Sequence, residues 1–243
     1  MPPRSVQARI GESPSQTKTV PGGMHLTFEG PECSGKTTQI FRLRERLAAE
    51  GYRVVLAKQP GGTAVGAAIR SVILNPQLRQ HMQVKTESLL YWADRYQIYE
   101  EIIRPALADG AIVLGDRDFD SSWTFQCFGR GIDAEWMARA QQLTIGDQKP
   151  DKTIVYLIPV QTILQRREAR KARDVQAAQE HRIGEAEQSF HTSVIAGYEA
   201  LMQREPNRFV AIDANASIEA LHEKTYRLVS KLIAERMLSA HRR

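Results

Sequence analysis

From Met24 onward, short apolar runs alternate with longer stretches in which apolar residues return every three or four positions. The runs MHLTFE, RVVLA, AIVLG, TIVYLI and RFVAID are bounded by turn residues or charge and are too short for helices, so they predict five strands. Helical patterns run over 36–50, 63–74, 84–108, 134–145, 160–173, 185–204 and 217–238. Strands separated by helices in this way predict βαβ units, hence an α/β fold with a five-stranded parallel sheet and helices on both faces. Gly51 stands where the first helix needs a C-terminal cap. No internal repeat or low-complexity tract follows residue 23, so 24–243 reads as a single domain.

Residues 1–23 break the pattern. They are rich in Pro, Ser, Gly and Thr without apolar periodicity, and read as a disordered N-terminal extension. The segment lacks the apolar core of a secretory signal. Arg4, Arg9 and Lys18 would suit a transit peptide, but Glu12 and the prolines spoil an amphipathic helix. No run approaches the roughly 20 apolar residues that span a bilayer, so no membrane partner is expected. Cys33 and Cys127 lie in no metal-ligand spacing and make no disulfide framework, which fits the cytoplasm. The net charge of +5 calls for anionic partners. Nucleotides satisfy it, and no basic run with interleaved aromatics argues for nucleic acid.

Candidate chemistry enters at FEGPECSGKTTQ, residues 28–39, where Gly30, Gly35, Lys36 and Thr37 spell GxxxxGKT. A strand runs in and a helix runs out, the context in which backbone N–H groups and a helix N-terminus face an anion. Gly30, Pro31, Glu32, Cys33, Ser34, Gly35, Lys36, Thr37 and Thr38 therefore form a candidate ATP cradle. Within it Lys36 reaches the β- and γ-phosphates and the Thr37 hydroxyl ligates Mg²⁺. Cys33 reads as a small space-filling residue. The run AIVLG leads into Asp116, which a parallel sheet brings beside Thr37 as a second, water-mediated Mg²⁺ ligand. Asp118 and Asp120 read as caps of the next helix.

Such a cradle serves motors, GTPases and kinases alike. No N/TKxD element is present to read guanine, and a motor needs a longer chain. The blocks KQPGGTAVGAAIR (58–70), LLYWADRYQIYEEIIRPALADG (89–110) and AIVLGDRDFDSSWTFQCFGRGID (111–133) together resemble the thymidylate kinase family across about residues 24–213. The resemblance implies transfer of the ATP γ-phosphoryl group to dTMP. It also implies that Tyr91 stacks on thymine, Arg95 hydrogen-bonds the base and Arg117 grips the acceptor phosphate. Glu32 would lie near the deoxyribose 3′-hydroxyl and Phe125 against the sugar, with Lys58, Arg70, Ser122 and Gln126 as further contacts. Trp92 reads as core. Leu164, Arg166, Arg167, Ala169 and Arg170 match the start of a helical lid over about 166–188, whose Arg170, then Arg166, would stabilise charge on the transferred group. Pairing as a homodimer is implied too, with 63–74 and 84–108 as candidate faces.

Four departures stand against the match. Lys58-Gln59 replaces the common Arg-Glu, Phe125 replaces a tyrosine, the lid's Asp-Arg and Glu become His181, Arg182 and Gly184, and the segment between Arg170 and Arg182 is longer. They leave two alternatives open: a monophosphate kinase with relaxed or shifted acceptor choice, and a nucleotide-binding relative with weak catalysis.

Overall fold

A computed structural model of the protein describes residues 17–172 and 188–240. Strands β1 (Met24–Glu29), β2 (Val54–Lys58), β3 (Ile112–Asp116), β4 (Lys152–Leu157) and β5 (Phe209–Asp213) form one parallel sheet in the order β2-β3-β1-β4-β5. Alternation along β3 shows why both faces must be covered: Ile112 and Leu114 enter one apolar cluster, while Val113 between them enters another.

Two helices cover the first face, α1 (Lys36–Ala49) through Ile40, Leu43 and Leu47, and the C-terminal helix Ile218–Ala240 through Leu221, Val229 and Ile233. On the second face lie α2 (Ala64–Leu74), the short α3 (Pro76–Arg79), α4 (Val84–Ile98), α5 (Arg104–Ala108), α6 (Phe119–Ser122) and α7 (Ala134–Thr144), with Trp92, Ile98 and Met137 buried beneath them. Helix α8 (Val160–Lys171) follows β4, and α9 (Gln188–Arg204) packs Phe190, Val194 and Tyr198 against Phe125 and Val155. The C-terminal helix is thus α10.

Two expectations change here. The helix expected over 84–108 is interrupted by a π-helical segment, Tyr99–Ile103, just before Pro105. Proline donates no N–H and crowds the preceding turn, and a wider turn there accommodates it. The chain from Trp123 to Phe128 is π-helical as well. The extension expected over 1–23 is corrected at its end. Lys18 N–H donates to Gly51 O (2.8 Å), Val20 N–H donates to Gly110 O (2.8 Å), and the Val20 side chain is fully buried in the core. Residues 1–16 and the part of the expected lid beyond residue 172, with His181, Arg182 and Gly184, lie outside the described residues. No helix among the described residues is long and apolar enough to cross a membrane.

Candidate active site

The pairing register brings three strand ends to one level: Phe28 and Lys58 both align with Asp116. Loops leaving these ends therefore face a common crevice. The loop after β1 bends back through left-handed conformations at Gly30 (φ 133°), Cys33 (φ 57°) and Gly35 (φ 89°). A side chain at Gly30 would put its Cβ 2.4 Å from Tyr156 O, so only glycine fits. Its turn delivers α1 with its N-terminus facing the crevice, and no acidic side chain stands in the first turn of that helix to compete with an anion.

Lys36 sits inside this loop, donating from Nζ to Pro31 O (2.7 Å), Gly30 O (3.1 Å) and Ser34 Oγ (3.2 Å). Burial, then the Arg117 charge, pushes its ammonium down to about 7. Thr37 Oγ1 donates to Asp116 Oδ2 at 2.8 Å, so the hydroxyl and carboxylate expected to share a metal touch each other. Both are hard oxygen donors, as Mg²⁺ requires. Among the described residues no cluster of three or more His, Cys, Asp or Glu could hold a metal ion.

The loop after β3 carries the opposite wall. Arg117 adopts a left-handed backbone (φ 71°), and its Nη1 donates to Gly30 O (3.2 Å) and Ser121 Oγ (3.0 Å). Its guanidinium lies over the Phe125 ring, 4.7 Å from the centroid. Phe125 in turn packs edge-on against Phe190. Arg95, on the α4 face, is 2% exposed and reaches Gln59, Ser122 and Asp118. Tyr91, one turn earlier on α4, is half-buried at the crevice, while Trp92 is buried as expected.

One cavity of about 670 Å³ joins the two walls. Glu32 to Thr38, Lys58, Arg70, Tyr91, Arg95, Asp116, Arg117, Ser122, Phe125, Gln126 and Arg166 all line it. Gly30 and Pro31 lie behind it, contributing the carbonyls that receive Lys36. Six cationic side chains face two carboxylates around this space, the balance an anionic ligand requires. Arg166 crosses from α8 to donate to Cys33 O (3.2 Å) and Ala214 O (3.4 Å). The Arg170 side chain lies outside the described residues.

Several residues that support the site escape sequence reasoning. Glu29, fully buried at the end of β1, accepts from Asp118 N–H (2.7 Å), Ser121 Oγ (2.6 Å) and Tyr198 OH (2.7 Å), tying the cradle to the opposite loop. Burial pushes its carboxyl up, against the pull of Arg117 and of the Ser121 and Tyr198 hydroxyls. A lone carboxylate closing an apolar strand was its available signal. Asp118 does cap its helix, accepting from Phe119 N–H (2.7 Å). Asp120 does not: it is buried against Arg208, which donates to both its oxygens at 2.6 and 2.8 Å. That partner lies far along the chain and carries no local signature.

Known proteins resemble this chain in sequence and in fold. The thymidylate kinase family model matches residues 28–225. The chain is 43% identical to a thymidylate kinase of Exiguobacterium sibiricum, over 82% of this chain and 90% of that protein. It is 38% identical to one of Alcanivorax borkumensis, over 87% of this chain and 98% of that protein. Its fold is similar to the crystal structure of thymidylate kinase from Ehrlichia chaffeensis, with a TM-score of 0.68 and 28% identity over 86% of this chain and all of that one.

Proposed function

Because the chain belongs to the thymidylate kinase family, we infer that it transfers the γ-phosphoryl group of ATP to dTMP, giving dTDP and ADP. The observation that carries this is the single cavity running from Lys36 and Thr37 to Arg95 and Tyr91. It sets a triphosphate cradle within reach of a pocket suited to a flat base and a monophosphate. In such a reaction two anions meet, and the protein's contribution is positioning and charge stabilisation.

In this reading the loop N–H groups and the α1 N-terminus hold the ATP phosphates, and Lys36 exchanges its loop carbonyls for a phosphate oxygen. Arg117 holds the acceptor phosphate, with Lys58 and Arg70 close by. Tyr91 offers its ring to thymine, and Arg95 directs a guanidinium N–H to a base carbonyl. Glu32 serves the 3′-hydroxyl, Phe125 packs on the sugar, and Ser122 and Gln126 complete the pocket. Arg166 and Arg170 neutralise charge on the transferred group. Thr37 and Asp116 would hold a Mg²⁺ ion, which when bound offsets the negative charge of the phosphates.

The exposed residues Val65 and Val72 on α2, and Leu89 and Tyr96 on α4, recur at seven-residue spacing and support a homodimer formed through these helices. Cys33 and Cys127 form no disulfide, which supports a reducing cytoplasm.

Formation of ADP from Mg-ATP with dTMP, dUMP, dCMP, dGMP and UMP tests the reading, with Lys36→Ala as the blank. Turnover strongest with dTMP is expected. Preference for another acceptor would replace the dTMP assignment. Tight binding of dTMP and ATP by folded protein without turnover would leave a nucleotide-binding protein.

A further inference from the structure

Arg95 is buried, yet the three hydrogen bonds that fix it go to neutral oxygens. Nε donates to Gln59 Oε1 (2.8 Å), Nη1 to Ser122 Oγ (2.8 Å) and Nη2 to the Asp118 carbonyl (3.0 Å). A guanidinium has five N–H groups, so one on each terminal nitrogen remains for a ligand. A cation so desolvated is costly without an anion beside it. Asp94, its neighbour in sequence, carries its carboxylate to the Gly61 N–H instead (2.9 Å). The ion-pair partner of Arg95 among the described residues is Asp118, whose Oδ1 lies 3.4 Å from Nε and which is fully buried.

That carboxylate is itself held from several sides. The Asp118 N–H donates to Glu29 Oε1 (2.7 Å), Oδ1 accepts the Phe119 N–H (2.7 Å), and Oδ2 accepts the Tyr99 hydroxyl (2.7 Å). Gln59 Nε2 approaches Oδ1 at 3.4 Å, so this amide bridges the aspartate and the arginine. His25 comes within 3.7 Å of Oδ2, but burial holds its imidazole toward the neutral form, leaving Arg95 as the cation that Asp118 serves.

We propose that Asp118 is a positioning residue for acceptor recognition: its carboxylate supplies the buried countercharge that holds Arg95 facing the acceptor base. Its visible task as a helix cap is only half its role. Gln59 stands close enough to Arg95 to take over the charge if it were an acid. The proposal rests on the reading that Arg95 contacts dTMP.

Steady-state kinetics with dTMP and ATP varied separately tests it. Arg95→Ala first tests the underlying reading: the KM for dTMP should rise about 100-fold with the KM for ATP within about twofold. If it does not rise, the base-reading role of Arg95 fails. Given that rise, Asp118→Asn should lift the dTMP KM about tenfold and leave ATP nearly untouched. Adding Gln59→Glu to Asp118→Asn should return the dTMP KM to within about threefold of the parent protein. A merely structural cap predicts no such rescue, because Asn also caps helices. A dTMP KM unchanged in Asp118→Asn, or no recovery in the double variant, overturns the proposal. If Asp118→Asn does not fold, Tyr99→Phe substitutes for it: a dTMP KM raised about threefold supports the proposal, and an unchanged one overturns it.

Discussion

The two walls of the active-site cavity are built on different plans. The proposed donor wall is a single loop, set by glycine geometry at Gly30 and Gly35, that offers backbone N–H groups and one helix terminus. In the proposed reading its side chains matter at Lys36 and Thr37. The proposed acceptor wall is assembled from side chains on four segments, around residues 58–60, 70, 91–95 and 117–126. Each must be aimed, so behind this wall lies a second layer of buried polar groups: Glu29, Asp118, Tyr99 and Tyr198. A site made of backbone tolerates change in its side chains. A site made of side chains depends on a buried polar scaffold, where each unsatisfied group is costly.

The contrast concentrates any steep donor-side loss on one side chain, Lys36, and spreads graded losses over several residues on the acceptor side. Lys36→Ala should lower kcat at least ~1,000-fold while the protein stays folded and dTMP still binds. Near-normal turnover would remove Lys36 from the chemistry. On the other wall, Phe125→Tyr should act through one hydroxyl. Competition between dTMP and its ribonucleotide counterpart should shift about tenfold further toward dTMP, the scale of one buried hydrogen bond. No shift would mean that Phe125 does not face the sugar.

The smallest expected effect is a proton. Lys36 titrates near 7 in the folded protein, against 10.5 for an ordinary lysine. Between those pH values the unfolded chain holds a proton that the folded one has lost, so this group makes stability rise with pH through the window. Phosphate favours the charged ammonium and reverses the preference. Nucleotide binding at pH 8 should therefore take up about one proton, seen as a buffer-dependent enthalpy in calorimetry, and Lys36→Met should abolish the uptake. An enthalpy independent of buffer would place the ammonium in its ordinary range.

The same contrast explains what could be read in advance. Strands and flanking helices were legible because burial of both sheet faces writes continuous apolar runs, and each helix writes its own period. The candidate cradle shows in the sequence because its parts are contiguous. The acceptor residues came only through resemblance, since nothing local joins Tyr91 to Phe125. Asp118 showed its capping role, which is local, and hid its pairing with Arg95, which is not. Asp120 misled for the same reason, its partner Arg208 being 88 positions away. The π-helical segments escaped notice because residues such as Trp123-Thr124-Phe125 favour no helical form in isolation. Val20 was hidden by its company, a single apolar residue among polar ones that nonetheless packs into the core.

That last residue has a practical side. Lys18 and Val20 bond to Gly51 and Gly110, just ahead of β2 and β3, where the strands begin. The groups proposed to face phosphate gather at the opposite pole, where the strands finish. A fusion partner or solid support joined ahead of Thr17 would hang from the pole remote from catalysis, leaving the crevice open to small molecules. Trimming the chain to Met24 would do the reverse of tidying it, since it would pull a plug from the floor of the fold.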